Sequence, residues 1–357
     1  MNRWTCLAAA GLALWSASAA AAPDACTAAA GPACYRAFQP PGAQGTLNYY
    51  ASLAPDDAAK PTRALIALHG HPRDAEKTFN AALRAVSNAQ MRADPQGDMR
   101  ADTRADMPPD TLVVAPVFQV AADQSAKCSA PGVPPAQPGD LLWTCGSWLE
   151  GGRAGNGARI TSFAAMDALV AELARRWPSL RTVTIAGFSA GAQMVQHYIG
   201  FADQENAGAA SLAVRYVVAD PGTWLYFDAW RPQPPAEGAC PGVNRWKYGT
   251  EGLPGHLGRS AAQARQRYAA ADIRYLEGAL DGSDAKGTYY GILDKSCAAM
   301  AQGPYRMQRG LAYAQYDRTL LAPEQHREVV LVPGCAHDVA CVFPSEAARA
   351  ALLGTSR

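Results

Sequence analysis

Charge is scarce in this chain. Asp, Glu, Lys and Arg make up 18% of 357 residues, and 32 basic side chains nearly cancel 31 acidic ones. So balanced a set gives no excess of one sign to draw the protein to nucleic acid or to an anionic membrane, so neither is expected as a partner. Histidine is also scarce, with six copies scattered along the sequence, and no Cys-x-x-Cys pair occurs. The ligand spacing of a zinc site is therefore missing, and no metal or other cofactor is expected. After residue 22 no apolar run is long enough to span a bilayer, and no solenoid-length repeat is visible.

What is present is apolar bulk. Apolar residues make up 49% of the chain, and the length suits one large domain or two small ones. Residues 1–22 read as a cleavable secretion signal: Arg3, the apolar run Trp4 to Trp15, then small residues from Ser16 to Ala22 before Pro23. Cleavage after Ala20 or Ala22 satisfies the small-x-small rule. The expectation is an exported protein, periplasmic or extracellular, with 23–357 as a single catalytic domain. Cysteine usage agrees with export. Cys6 leaves with the signal, and eight remain: Cys26, Cys34, Cys128, Cys145, Cys240, Cys297, Cys335 and Cys341. An even number in an oxidising compartment reads as disulfides, and proximity favours 26–34, 128–145, 240–297 and 335–341. The sequence does not speak to oligomeric state.

Apolar runs alternate with helical patterns, which predicts an α/β fold with a mainly parallel, doubly wound sheet covered on both faces. Strands are expected at Ala64–His69, Thr111–Val117, Thr182–Phe188, Val214–Ala219, Ile273–Glu277 and Glu328–Val332. Their continuous Val/Ile/Leu character suits strands with no solvent face. Phe163, Met166, Leu169, Val170, Leu173 and Trp177 fall at helical spacing, and Pro178 ends the run. Further helices are expected from Ser189, over about Pro304 to Leu321, and from Ser345 as N-cap to Leu353. Residues 92–110, with their Arg-Ala-Asp repeats, and the Pro/Gly-rich stretches 122–158 and 222–270 read as insertions. The last is lid-like, with Trp224, Tyr226, Trp230, Trp246 and Tyr248; long irregular loops often wall an active site.

The sharpest motif is Gly187-Phe188-Ser189-Ala190-Gly191, a G-x-S-x-G placed after a strand and before a helix. A strand that turns abruptly into a helix leaves no room for side chains beside the projecting serine, hence the glycines. The Ala190 amide, next after the serine and at a helix N-terminus, is one expected oxyanion donor. The other is expected from His69-Gly70-His71 at the end of an earlier strand, with the His71 amide first and Gly70 the alternative. A metal pair made by His69 and His71 lacks a partner cluster. The base is expected late in the chain, and His337, after the last strand, fits better than His197, His256 or His326. The acid is expected after the strand ending at Glu277: Asp281 first, Asp284 as alternative, Asp220 third.

These segments resemble the α/β-hydrolase superfamily and, within it, secreted bacterial hydrolases related to feruloyl esterases and polyhydroxyalkanoate depolymerases. The resemblance is carried by Ala67–Asp74, Val183–Val195, Ala219–Tyr226, Tyr275–Asp281, Leu293–Met300 and Val332–Asp338. It implies a Ser-His-Asp serine hydrolase. The expected reaction is cleavage of a carboxylic ester through an acyl-enzyme, on a small-molecule or polymeric substrate. An amidase or peptidase on the same groups, and a silent binding protein that keeps the fold, are the alternatives.

Overall fold

Aliphatic and β-branched runs form the strands of the computed structural model, which describes residues 25–54, 59–92, 110–156 and 159–354. The secretion-signal expectation for 1–22 and most of the 92–110 insertion lie outside those residues. In chain order the strands are β1 (Tyr35–Phe38), β2 (Leu47–Ala51), β3 (Arg63–Leu68), β4 (Thr111–Val117), β5 (Gln119–Val120), β6 (Leu142–Trp143), β7 (Thr182–Phe188), β8 (Ala213–Ala219), β9 (Asp272–Gly278) and β10 (Val329–Val332). The main sheet runs β1-β2-β4-β3-β7-β8-β9-β10, while β5 and β6 pair with each other. β1 and β2 join the sheet antiparallel, and every pairing from β4 to β10 is parallel.

The pleat explains the continuous apolar character. Ala64, Ile66 and Leu68 of β3 enter one core, and Leu65 and Ala67 enter the other. Helices α1 (Ala75–Arg92) and α6 (Glu346–Leu353) cover the second face; α2 (Ser162–Arg176), α3 (Ala190–Phe201), α4 (Ala261–Ala270) and α5 (Arg306–Tyr316) cover the first. Each leucine or isoleucine so buried contributes about 1.5–3 kcal/mol. Local chemistry sets the helix starts: Thr161 accepts from the Ala164 amide at 3.0 Å and Ser345 from Ala348 at 3.2 Å. Ser260 and Gln263 cap α4 reciprocally.

The expected strands and helices lie where the apolar pattern placed them, within a residue or two; the helix expected over about Pro304 to Leu321 is α-helical over Arg306–Tyr316 and continues with a wider turn over Asp317–Leu321. The β1–β2 hairpin, the short β5–β6 pair, α1 and α4 were not anticipated. α1 is rich in small or polar residues, so its periodicity is faint, and β1 and β2 are only four and five residues long. α4 lies inside the 222–270 insertion and buries only Ala264 and Tyr268. No residue of that insertion lines the cleft that contains Ser189. Trp224 is fully buried, stacked on Tyr313 with ring centroids 4.3 Å apart, and Trp230 stacks on Tyr316 at 5.5 Å. These rings are core, which is why the aromatic content of the segment misleads.

Disulfides join Cys26 to Cys34, Cys128 to Cys145, Cys240 to Cys297 and Cys335 to Cys341. The second ties down the 122–156 segment, the third anchors 222–260 to the start of a short helix at Cys297, and the fourth closes a small loop that contains His337. Non-reducing peptide mapping of the oxidised protein is expected to recover these four linked pairs with no free thiol between Cys26 and Cys341. Free thiols at Cys335 and Cys341 would remove the brace around His337.

Candidate active site

The parallel strands end along one edge of the sheet, and the turns that leave β3, β7, β8, β9 and β10 therefore converge. β7 sits between β3 and β8. It passes straight into α3 through Ser189, whose backbone takes φ 58°, ψ −120°. Such a backbone holds the hydroxyl out from the corner, at a local cost on the order of 1–3 kcal/mol that the flanking sheet and helix offset. The glycines are obligatory here. A Cβ on Gly187 would lie 2.2 Å from the Gly191 carbonyl oxygen, and one on Gly191 would lie 2.5 Å from the carbonyl oxygens of Leu68 and His69.

His337 follows β10 and is brought to this corner. Ser189 Oγ lies 2.8 Å from His337 Nε2, and His337 Nδ1 lies 2.8 Å from Asp281 Oδ2. The bonding assigns the tautomer: Nδ1–H donates to the carboxylate, and Nε2 accepts from the hydroxyl. The imidazole is 7% exposed and its ring lies 4.8 Å from that of Phe188. Burial holds its pKa below the ordinary value and the Arg306 charge pulls the same way, against the hydrogen bond to Asp281. The free base is thus the resting form at neutral pH.

Asp281 is buried in the turn after β9. Its backbone amide donates to the Gly278 carbonyl at 2.9 Å, and its carboxylate also accepts from Arg306 Nη1 at 3.4 Å. Asp284 is exposed and stands outside this chain of bonds. Asp220, after β8, is fully buried, with a carboxylate oxygen within 4.8 Å of ligand atoms of Asp281 and His337.

The candidate oxyanion donors flank the hydroxyl. Ala190 is the first residue of α3, and first-turn amides have no carbonyl four residues back. In the turn after β3, the Gly70 amide donates to Asp74 Oδ1 at 3.0 Å and so is occupied. The His71 amide meets no acceptor among the described residues. Gly70 gives the close approach: a Cβ there would stand 3.8 Å from Ser189 Cβ. His69 is structural. Its Nδ1–H donates to the Gly70 carbonyl at 2.8 Å, its Nε2 accepts from the Phe118 amide at 3.3 Å, and burial lowers its pKa to about 4. His197 is buried between the carbonyls of Leu149 and Lys247, remote from Ser189 in the bonding pattern.

No family model matches the sequence, and no curated protein does. Solved structures do. A poly(aspartic acid) hydrolase-1 from Sphingomonas sp. KT-1 matches with TM-score 0.58 at 18% identity, over 89% of this chain and 97% of that one. A poly(3-hydroxybutyrate) depolymerase from Bordetella parapertussis matches with TM-score 0.56 at 17% identity, over 88% and 86%. The chain has the α/β-hydrolase fold. In this fold the Ser189 hydroxyl opens on a cleft of about 800 Å³ lined by Pro131, Val133, Phe188, Tyr289 and Ile292 among others. Tyr289 and Ile292 are strongly exposed at its rim. No residue of 222–270 lines it, whereas Ala130 to Val133 of the 122–158 segment do.

Two features of the site escaped the sequence reading. Arg73, with φ 59°, is 3% exposed and pins the 128–133 wall, donating from Nε to the Cys128 carbonyl at 3.1 Å, from Nη1 to Gln119 at 2.8 Å, and to Ser129 Oγ. Arg306, 4% exposed, bridges Asp281 and the Thr288 carbonyl. Arginine is usually a surface residue, so neither position signals itself. Glu277 does leave a signal, as a carboxylate directly after the apolar pair Tyr275-Leu276 near the end of β9.

Proposed function

We propose that this chain is an exported serine hydrolase that cleaves carboxylic esters through an acyl-enzyme. The observation that supports the reading is the pair of 2.8 Å contacts linking Ser189, His337 and Asp281. Ser189 Oγ attacks the ester carbonyl carbon while its proton passes to His337 Nε2. Asp281 accepts the Nδ1–H throughout and stabilises the imidazolium. The carbonyl oxygen, now negative, is held by the Ala190 and His71 amides. Collapse breaks the bond to the alkoxy group, which leaves with the proton from Nε2. Water then repeats the sequence, losing its proton to His337 and releasing the acid, and Ser189 regains its hydrogen.

An open cleft with apolar walls suits an acyl or alcohol moiety of low polarity. The polymers named for the two structural neighbours, one joined by amides and one by esters, keep amide cleavage as the second reading. Export is supported by the four disulfides together with the apolar leader, and residues 23–357 are read as one catalytic domain. No described helix is long and apolar enough to cross a membrane. A panel of p-nitrophenyl esters of rising acyl length, run beside the matching anilides, tests the bond class. Esters are expected to turn over at least ~100-fold faster, since the amine is the poorer leaving group. Faster anilide turnover would replace the ester assignment with an amidase.

A further inference from the structure

Two buried carboxyl groups beside the triad have no part in the mechanism above. Asp220 closes β8 with φ 51° and is fully buried. Its Oδ1 accepts from the Gly278 amide at 2.7 Å, and its Oδ2 meets no donor among the described residues. Glu277, the next-to-last residue of β9, is fully buried, and neither of its oxygens meets an N–H or hydroxyl of the described residues. Its carboxyl fills the space left by a glycine on α5: a Cβ on Gly310 would stand 2.0 Å from Glu277 Oε1. Asp220 and Glu277 are neighbours across β8 and β9: the Asp220 amide donates to the Leu276 carbonyl at 3.0 Å, and the Gly278 amide, next after Glu277, donates to the Asp220 carboxylate.

Bare carboxylates do not survive such burial, so a proton must lie between them. Asp220 already receives one N–H and Glu277 receives none, so Glu277 is the better holder of the proton and donates it to Asp220. Burial, with the Asp281 charge added, pushes the Asp220 pKa up to about 7, and burial and Asp220 raise that of Glu277 well above its usual value. The counter-cation of this cluster is Arg306, which leans on Asp281.

We propose that Asp220 is a positioning residue for the same reaction: a second carboxylate, held by the carboxylic acid of Glu277, that lies behind Asp281 and stabilises the imidazolium of His337. The inference rests on the serine-hydrolase reading. Above pH about 7, where Asp220 is ionised, the cluster of Asp220, Asp281 and Arg306 carries one excess negative charge. The proton taken from Ser189 neutralises it where the low local dielectric strengthens the effect. The groups that face His337 are Asp281, Asp220 and Ser189 at the ends of β9, β8 and β7, Asp74 after β3, Arg306 of α5 and the Tyr289 ring. Those that face Asp220 are Glu277, Asp281, Arg306 and His337.

The test combines steady-state ester hydrolysis, thermal unfolding and NMR titration of ¹³C-labelled histidine, read in the protein without substrate. In Asp220→Asn, kcat is expected to fall ~10–100-fold with KM held within about twofold, because only imidazolium stabilisation is lost. The titration of His337 should move to lower pH by about one unit, the sign required when a nearby anion is removed. Glu277→Leu removes the donor, forces the proton onto Asp220 and should behave like Asp220→Asn. Glu277→Gln still donates an N–H to Asp220 and should recover most of the kcat that Glu277→Leu loses. If Asp220→Asn does not fold, the comparison of Gln with Leu at 277 decides. A folded Asp220→Asn with unaltered kcat and unmoved His337 titration overturns the proposal, as do equal losses in the two Glu277 variants. A wild type that cleaves no ester sinks the hydrolase reading and this inference with it, whereas an active wild type indifferent to Asp220 sinks this inference only.

Discussion

Ser189→Ala is expected to lower kcat for ester substrates by about 10⁵–10⁶-fold and to abolish labelling by a fluorophosphonate probe. The substitution removes one oxygen from a corner whose shape is set by backbone, not by the hydroxyl. Ser189 accepts and donates through its main chain, its amide bonding the Ala219 carbonyl at 3.0 Å and its own carbonyl receiving the Gln193 amide at 3.0 Å. Thermal stability should therefore change little while chemistry stops. The residual rate would come from the oxyanion donors and substrate binding, which still favour attack by water. Persistent labelling in the alanine variant would place the nucleophile elsewhere and dissolve the assignment.

The second large effect separates the two candidate acids. Asp281→Asn should reduce kcat by ~10⁴-fold, because an amide facing His337 Nδ1 can present its own N–H and force the proton onto Nε2, the atom that has to accept from Ser189. Asp284→Asn, on an exposed side chain outside the bonding chain, should stay within about twofold of wild type. A reversed pattern would mean that the turn after β9 rearranges on substrate binding. Similar modest losses in both would indicate that Asp220, already close to the imidazole, serves as acid.

The parts of the site legible in the sequence are those where geometry excludes all but one residue type. Gly187 and Gly191 are fixed by backbone contacts under 3 Å for any Cβ, so the corner prints itself as a motif. His337 follows the last strand, whose turn is one of those that leave the same sheet edge as β7. Strands covered on both faces announce themselves by uninterrupted aliphatic runs, as in β4, whose seven residues are all buried. The acid was less legible, since several turns along one edge end in aspartate and sequence spacing does not measure distance between them. Buried polar groups were least legible. Arg309 is fully buried and donates to the carbonyls of Gly222, Asp294 and Gly303, stitching the 222–260 segment to α5. Arg327, paired with Asp317 at 3.1 Å, closes the C-terminal carbonyls of α4. Composition counts such residues as surface charge, and only the folded partners reveal otherwise. The tryptophans of 222–260 err the other way: the aromatic, Pro-rich loop reads as a lid, but Trp224 is fully buried and Trp230 and Trp246 pack against the core.

The latch made by Arg73 separates what the molecule can vary from what it cannot. One guanidinium, rooted in the turn beside the reacting hydroxyl, grips the far bank of the trough through a carbonyl, an amide and an alcohol. Side chains farther out on that bank, such as Pro131 and Val133, hang from a fixed hook and are free to be exchanged. New substrate preferences are therefore most readily acquired by rewriting residues 130–133 while the hook stays, leaving the reacting atoms undisturbed.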